Sequence, residues 1–164
     1  MMFLTVGNEL PFDRLVKTVD QWCGASKQHT VFGQIGSVGE EGYKPVHFEW
    51  EEFLSPQAYQ DKCAEAELII AHAGMGSIIT ALEVSKPVLI MARLAALEEH
   101  RNDHQVATAD RFSQRKGVFV AEDEHILIEM LDEKSCRSGN MALEQIEPYA
   151  EERLIRTIRN FILS

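Results

Sequence analysis

The sequence predicts an α/β fold, a Rossmann-like parallel sheet with helices on both faces. Short apolar segments suited to buried strands alternate with helical patterns through most of the 164 residues. Residues 68–71 are continuously apolar and too short for a helix, which is typical of a strand buried on both faces. A loop with two glycines and a helical pattern follow. We therefore expect ligands to bind at the carboxyl ends of the strands.

The first half of the chain supplies three strands and two helices. We expect strands over residues 2–6, 30–34 and 46–50, with a glycine-rich loop between the last two. A helix begins near Pro11 and ends at Gly24, and its buried side is marked by apolar residues at helical spacing: Phe12, Leu15, Val16, Val19 and Trp22. Ser55 and Pro56 start the second helix, whose inward side carries Tyr59, Cys63 and Ala66.

The second half continues the alternation. The strand over residues 68–71 leads into a helix with Ile78, Ile79, Leu82 and Val84 at helical spacing. Strands are expected over residues 88–91 and 118–120, and the helix between them is capped by Asn102 or Asp103 and ended by Gly117. The acidic cluster at residues 122–124 is interpreted as a solvated face or a helix start.

The tail, residues 141–163, is predicted to be helical, with a break at Pro148. One apolar stripe runs along it, formed by Leu154, Ile158, Phe161 and Ile162. We expect this stripe to pack on the chain's own sheet, the commoner fate of such stripes, in preference to docking a partner protein.

Composition limits the classes of function. With 45% hydrophobic residues the chain has enough apolar surface for a core, and we expect one domain over residues 1–164. A formal charge of -10 argues against binding nucleic acid or an anionic membrane by bulk electrostatics. The three cysteines are scattered and odd in number, which argues against a disulfide framework or a zinc site and favours the cytoplasm.

Residues 72–77, with the sequence HAGMGS, predict an anion site. The first N–H groups of a helix lack intrahelical partners and lie at the positive end of its dipole, so a glycine loop at that point receives phosphate oxygens. The alternative is that the glycines only make a tight connection. His100 and His104 share a helix face as candidate metal ligands, but no third ligand or D-x-D triplet accompanies them. We therefore expect no metal cofactor.

Several motifs together resemble one known family. The HAGMGS loop is followed by KP at residues 86–87 and NDHQ at residues 102–105, and TVG at residues 5–7 and QIG at residues 34–36 precede it. This order resembles the C-terminal, donor-binding domain of glycosyltransferase family 28, over roughly residues 3–120. The TVG and QIG motifs also resemble the stand-alone catalytic subunits of two-subunit UDP-GlcNAc transferases and bacterial exopolysaccharide glycosyltransferase subunits.

The resemblance implies half of a GT-B enzyme, the half that binds a UDP-sugar. Gly74, Gly76 and Ser77 would surround the diphosphate, with His72 assisting as a neutral or cationic donor. Further positions implied by the resemblance are Gly7 and Asn8 for the phosphates, Phe53 and Leu54 for backbone recognition of uracil, and His104 and Gln105 for the sugar hydroxyls.

One position departs from the family pattern. The family has a glutamate for the ribose hydroxyls six residues after the first motif glycine, and this chain has Thr80 there. Threonine is a weaker acceptor. Glu83 is not expected to replace it, because it lies nearly one turn further along the helix. A helix-surface role for Thr80 is an equal alternative.

The resemblance also implies a partner. A membrane-anchored, acceptor-binding subunit would recruit this chain to the membrane and supply the general base, although a homodimer is also possible. The reaction would move a sugar from a UDP-sugar to a lipid-linked acceptor, without a cofactor. The alternative is a non-catalytic module that binds a nucleotide or a protein.

Overall fold

A computed structural model of the chain describes residues 1–26, 29–40, 42–133 and 152–163. Within these residues, a parallel sheet has the order β3-β2-β1-β4-β5-β6. Its strands are β1 (Met2–Thr5), β2 (Val31–Gln34), β3 (Glu49–Glu51), β4 (Leu68–His72), β5 (Val88–Met91) and β6 (Val118–Ala121). The helices are α1 (Asp13–Ala25), α2 (Pro56–Glu65), α3 (Met75–Glu83), α4 (His104–Phe112), α5 (Glu124–Asp132) and α6 (Glu152–Leu163), and a 3-10 turn covers Ala95–Leu97.

Helices cover both faces of the sheet, as the sequence predicts. Successive residues of a strand point to opposite faces, so Met2 and Leu4 of β1 pack against α1 and α5, while Phe3 packs against α2, α3 and α4. Both sets of residues are fully buried. The predicted α/β fold is therefore confirmed, with every strand pairing parallel to its neighbours.

The third strand is shorter than predicted because a buried carboxylate takes the hydrogen bonds of the residues before it. The N–H groups of Val46 and His47 donate to Asp20 of α1, at 3.1 and 2.8 Å, and so does the Tyr43 hydroxyl at 2.7 Å. Burial alone would raise the pKa of Asp20, but these hydrogen bonds outweigh it and the pKa is lowered. The paired strand therefore begins only at Glu49.

Helix α5 was not predicted as a separate element. Asp123 caps it by accepting a hydrogen bond from the N–H of Ile126 at 2.9 Å, which confirms the helix-start interpretation of the acidic cluster. Leu127 and Leu131, four residues apart, are fully buried. The indole N–H of Trp22 donates to Asp132 at 2.7 Å and ties the end of α5 to α1.

Two predicted helix ends are wrong by a few residues. Helix α1 continues one residue past Gly24, because the N–H of Ser26 still reaches the carbonyl of Trp22. Helix α4 ends at Phe112, before Gly117, which has a φ of +88° and leads directly into β6.

The expectation that the C-terminal stripe packs on the sheet is wrong for the described side chains. Ile158, Phe161 and Ile162 of α6 are exposed, Phe161 by 82%. Helices α1 and α5 pack on one sheet face, and α2, α3 and α4 pack on the other. The side chain of Leu154 and the predicted helix before Pro148 lie outside the described residues. Of the described helices, none has the length and apolar character needed to span a bilayer.

Candidate functional site

The candidate site lies at the carboxyl edge of the sheet, where the strand order reverses. Strands β1 and β4 are neighbours, but the chain continues from β1 to β2 on one side and from β4 to β5 on the other. This arrangement opens a crevice at the strand ends. A cleft of about 820 Å³, here named the main cleft, lies at this point between α2 and α3. Predicted site residues that line it are Gly7, Asn8, Leu54, His72, Gly76, Ser77 and Thr80.

The glycine loop delivers the amino end of α3 to the main cleft. Gly74 is the residue before the helix, so no side chain caps the first N–H groups. Gly76 lies in the first turn, is exposed, and a Cβ atom added to it would meet nothing within 4 Å. The backbone at this point is therefore open to a ligand, as an anion site at a helix start requires.

The imidazole of His72 joins the two loops of the site. A Cβ atom added to Gly7 would lie 2.8 Å from its Cε1, and one added to Gly74 would lie 2.1 Å from its Nε2. Gly7 also has a φ of +78°, which side chains rarely adopt. Both positions need glycine because the ring fills the space between them. The loops after β1 and β4 are thus packed together through one side chain.

His72 is a neutral group at physiological pH. Burial and the nearby charge of Arg93 lower its pKa to about 4, although contact with the backbone of Thr5 counters part of that effect. Nδ1 is buried without a partner of good hydrogen-bond geometry among the described residues. Of the two expected forms, neutral and cationic donor, the environment favours the neutral one.

Acidification is expected to destabilise the fold through His72. Its pKa of about 4 lies below the ordinary value of 6.5, so the unfolded chain binds more protons between these values. The free energy of unfolding should be highest above pH 6.5 and fall toward pH 4, by on the order of 3 kcal/mol. Urea unfolding at a series of pH values measures this slope. His72→Gln should flatten it, and His125→Gln, at a side chain that is 79% exposed, should keep it. An unchanged slope in His72→Gln would contradict the assignment.

Gln34 connects two of the segments that line the main cleft. Its amide nitrogen donates to the side-chain oxygen of Asn8 at 3.0 Å, and its amide oxygen accepts from the N–H of Leu54 at 3.1 Å. The Leu54 N–H is therefore already used within the protein, which leaves carbonyl groups for the predicted recognition of uracil. Phe53 is 49% exposed and does not line the cleft. The side chain of Gln34 thus links the loops after β1 and β3.

Helix α3 forms one wall of the main cleft. Ser77 is buried near the Tyr59 hydroxyl, whose pKa is raised by burial. Thr80 and Glu83, about one and two turns further along the helix, also line the cleft. The distance of nearly one turn, which argued against Glu83 as a replacement, therefore does not take it away from this wall of the cleft. Residues three apart on a helix differ by only about 60° around its axis, so both face the same side.

A smaller cavity of about 220 Å³, here named the inner cavity, adjoins the glycine loop on the β5 side. His104 and Gln105, predicted to contact a sugar, both line it. Gln105 is buried, and its amide oxygen accepts from the backbone N–H of Arg93 at 3.1 Å. His104 is exposed, with Nδ1 2.5 Å from the side-chain oxygen of Asn102. Phe53 is thus the one predicted site residue that lines neither the main cleft nor the inner cavity.

His100 and His104 are in contact but show no metal geometry. Their rings lie edge to face with centroids 4.4 Å apart, and each Nδ1 already has a neighbouring partner. In the part of the chain that the structure describes, no group of three His, Cys, Asp or Glu residues is arranged to hold a metal ion. The observed contacts of both rings are hydrogen bonds within the segment.

Arg93, just after β5, is a site residue that the sequence analysis missed. It is 3% exposed, lines the inner cavity, and donates from Nη2 to the carbonyls of Val6 and Leu10. A lone arginine after an apolar strand gives little signal in sequence, because surface arginines are far more common than buried ones. Two features of the sequence indicate a site at Arg93: it has no charged residue close to it in the chain, and it comes just after a strand.

Comparison with known proteins gives a consistent set of matches. The family model described as Glycosyltransferase family 28 C-terminal domain matches residues 1–155. The mouse protein named UDP-N-acetylglucosamine transferase subunit ALG13 is 31% identical over 124 residues, 71% of this chain and 10% of that protein. The protein of the same name from Yarrowia lipolytica is 24% identical over 135 residues, 75% of this chain and 65% of its own length. The chain therefore spans about a tenth of the mouse relative.

Solved structures share the fold. The crystal structure of Acinetobacter baumannii MurG has a TM-score of 0.69 at 17% identity, covering 98% of this chain and 49% of that chain. An NMR solution structure of ALG13 has a TM-score of 0.57 at 21% identity, covering 96% of this chain and 93% of that one. These similarities support the architecture described above.

Proposed function

Since the chain belongs to the glycosyltransferase family 28 C-terminal domains, we propose that it is the UDP-sugar-binding subunit of a glycosyltransferase. The proposal is a hexosyl transfer to a lipid-linked acceptor, made together with a membrane-anchored subunit on the cytoplasmic side. The relatives named UDP-N-acetylglucosamine transferase subunits support a nucleotide-sugar donor and a two-subunit arrangement. One structural observation carries the proposal. The uncapped amino end of α3 opens onto a cleft of about 820 Å³ at the switch point of the sheet.

The two cavities suggest how the donor lies. The main cleft, between α2 and α3, has the volume for a nucleoside. The glycine loop stands between it and the inner cavity, which His104 and Gln105 line. We therefore infer that the uridine occupies the main cleft, the diphosphate meets the loop, and the sugar occupies the inner cavity.

In this arrangement the chain stabilises the leaving group. When the acceptor oxygen attacks the anomeric carbon, negative charge develops on the departing UDP. N–H groups at the start of α3 are already oriented toward that charge, so little reorganisation is needed. The general base is assigned to the partner subunit, where the acceptor is bound.

UDP is expected to bind with equal affinity in the presence and absence of a divalent-metal chelator. The proposed phosphate ligands are backbone N–H groups, which need no bridging cation. Titration calorimetry with UDP, in EDTA and in Mg²⁺, tests the proposed function directly. Binding that disappears in EDTA while the fold persists would overturn the metal-free assignment, and no binding in either buffer would overturn donor binding itself.

Glu83 is expected to bind the ribose in place of the missing glutamate at position 80. It lines the same wall of the main cleft as Thr80, and a carboxylate is the stronger acceptor for hydroxyl groups. Glu83→Gln should weaken UDP binding by about tenfold and remove the preference for UDP over 2′-deoxy-UDP. Thr80→Val should change the preference little. The matched control is Glu65→Gln, on an exposed position of α2 that does not line the cleft. If Glu83→Gln kept the full preference for UDP over 2′-deoxy-UDP and Thr80→Val lost it, the ribose contact would belong to Thr80.

The threonine at position 80 also supports a second candidate, a non-catalytic module that binds a nucleotide or a protein. A donor site without a ribose carboxylate would bind UDP weakly. Comparing the affinities for UDP and 2′-deoxy-UDP separates the UDP-sugar-binding subunit from the non-catalytic module. Equal affinities would mean that neither position 80 nor position 83 recognises the ribose, which favours the non-catalytic module.

A further inference from the structure

Arg93 holds the loop that follows β1. Its Nη2 donates to the carbonyl of Val6 at 2.9 Å and to the carbonyl of Leu10 at 2.5 Å. These two carbonyls bracket the loop that carries Gly7 and Asn8, which border the main cleft. A planar guanidinium suits this task because its N–H groups are fixed in one plane. The loop conformation therefore depends on a side chain that is more than 80 residues away in sequence.

Arg93 is itself held in place through both its backbone and its guanidinium. The backbone N–H of Arg93 donates to the buried Gln105 side chain, and the guanidinium carbon lies 4.9 Å from the ring centre of Phe12. Glu9 and Glu99 lie near enough to stabilise its charge in part. Burial lowers the pKa of Arg93 to about 10, so the group remains a cation at neutral pH.

The Nε–H group of the buried Arg93 is a hydrogen-bond donor without an acceptor in the described structure. Nε of Arg93 has no hydrogen-bond partner among the described residues, although the side chain is 3% exposed. A buried donor without an acceptor costs free energy, which favours an acceptor that arrives with a ligand. The inner cavity, which Arg93 lines, is the space from which such an acceptor would come.

The position of β5 in the sheet indicates which part of the donor supplies the acceptor for Nε of Arg93. Strands β2 and β1 lie on the main-cleft side of β4, and β5 lies on the other side. Arg93 follows β5, and its guanidinium reaches the loop after β1 beside the inner cavity, which Arg93 lines. Arg93 does not line the main cleft, where the nucleoside is proposed to bind. An anionic oxygen that reaches the inner cavity from the loop belongs to the second phosphate, the one bonded to the sugar.

We propose that Arg93 binds the sugar-side phosphate of the donor while holding the Val6–Leu10 loop against it. This inference rests on the proposed function, since it assumes that a nucleoside diphosphate occupies the site. It assigns to one side chain the discrimination between a diphosphate and a monophosphate. On departure of UDP, the same cation would face the phosphate that gains charge.

Binding of UMP and UDP by Arg93 variants tests the proposal. Arg93→Met should weaken UDP binding by about 10- to 100-fold and UMP binding far less, while Arg93→Lys, which keeps the charge but loses the planar fork, should fall between. The matched control is Arg101→Met, which removes the same charge from an exposed residue bordering a neighbouring cavity. It should leave both affinities unchanged. Equal losses for UMP and UDP, or no loss, would overturn the proposal.

A measurement on the unaltered chain covers the case in which Arg93→Met does not fold. The Nε–H resonance of a buried arginine is observable by NMR, and the signal that disappears in Arg93→Lys identifies it. UDP should shift this resonance, and UMP should not. If UDP binds and the resonance does not move, the phosphate assignment is wrong while donor binding stands. If the unaltered chain does not bind UDP, the proposed function fails as well.

Discussion

Gly76→Val is expected to reduce UDP binding by at least about 100-fold, a loss of about 2.7 kcal/mol, and to leave the fold intact. Gly76 lies in the first turn of α3 and lines both the main cleft and the inner cavity. Apart from its chain neighbours and the backbone of its own helix, a Cβ atom there meets nothing within 4 Å. A valine therefore fits the fold but fills the space where backbone and phosphate would approach each other. Titration calorimetry and circular dichroism measure the two quantities.

The control for Gly76→Val is Ala107→Val. Ala107 is an exposed residue of α4 that lines none of the cavities described above, so it adds a similar side chain to a helix away from the site. Its UDP affinity should equal that of the unaltered chain. If a folded Gly76→Val variant bound UDP with unchanged affinity, the diphosphate could not be assigned to this loop.

Gly74 offers a contrast within the same loop. A side chain there would collide with the His72 ring, so its replacement disturbs the packing of two loops instead of blocking a ligand. Sequence reasoning treated the two motif glycines alike, since a G-x-G pattern does not state which glycine faces the protein and which faces the ligand. Only the position of the His72 ring separates these roles.

The fold was largely predictable because its signals are local. Buried parallel strands are short apolar runs, and helix starts such as Ser55-Pro56 have their capping residue next to them, with Ser55 accepting the N–H of Ala58 at 3.3 Å. The shortened third strand was not predictable in this way. Its length depends on Asp20, a residue of another helix whose carboxylate competes for the backbone N–H groups.

The same limit applies to the site. The loop residues, Gln34 and Gln105 belong to continuous motifs, but the contacts of Gln34 and of Arg93 are with residues 20 to 87 positions away. Helix α6 shows a different limit. Its pattern predicts an amphipathic helix but does not specify what covers the apolar side. The expected packing of its apolar stripe on the sheet was wrong, since Ile158, Phe161 and Ile162 are exposed and other helices pack on both sheet faces.

The 164-residue chain is expected to transfer no sugar by itself and to gain activity when a membrane-anchored acceptor subunit is added. The reason is geometric. Its described sheet and helices form a crevice at the switch point of the sheet, where we propose that the donor binds, and the structural match to MurG covers 49% of that longer chain. A GT-B active site lies between two such halves, so an acceptor and its general base would have to come from outside these residues.

An assay with a panel of UDP-sugars and lipid-linked acceptors tests this expectation, run with the purified chain and with the chain co-expressed with a candidate subunit encoded beside it. Gly76→Val in the same complex is the control, because it should assemble normally and lose transfer. Chain concentration must also be varied, since a homodimer that closes its own cleft would give activity that rises with the square of concentration. Robust transfer by the dilute chain alone would refute the half-enzyme proposal. UDP binding without transfer in either arm would favour the non-catalytic module, because the donor site would then exist without a reaction that uses it.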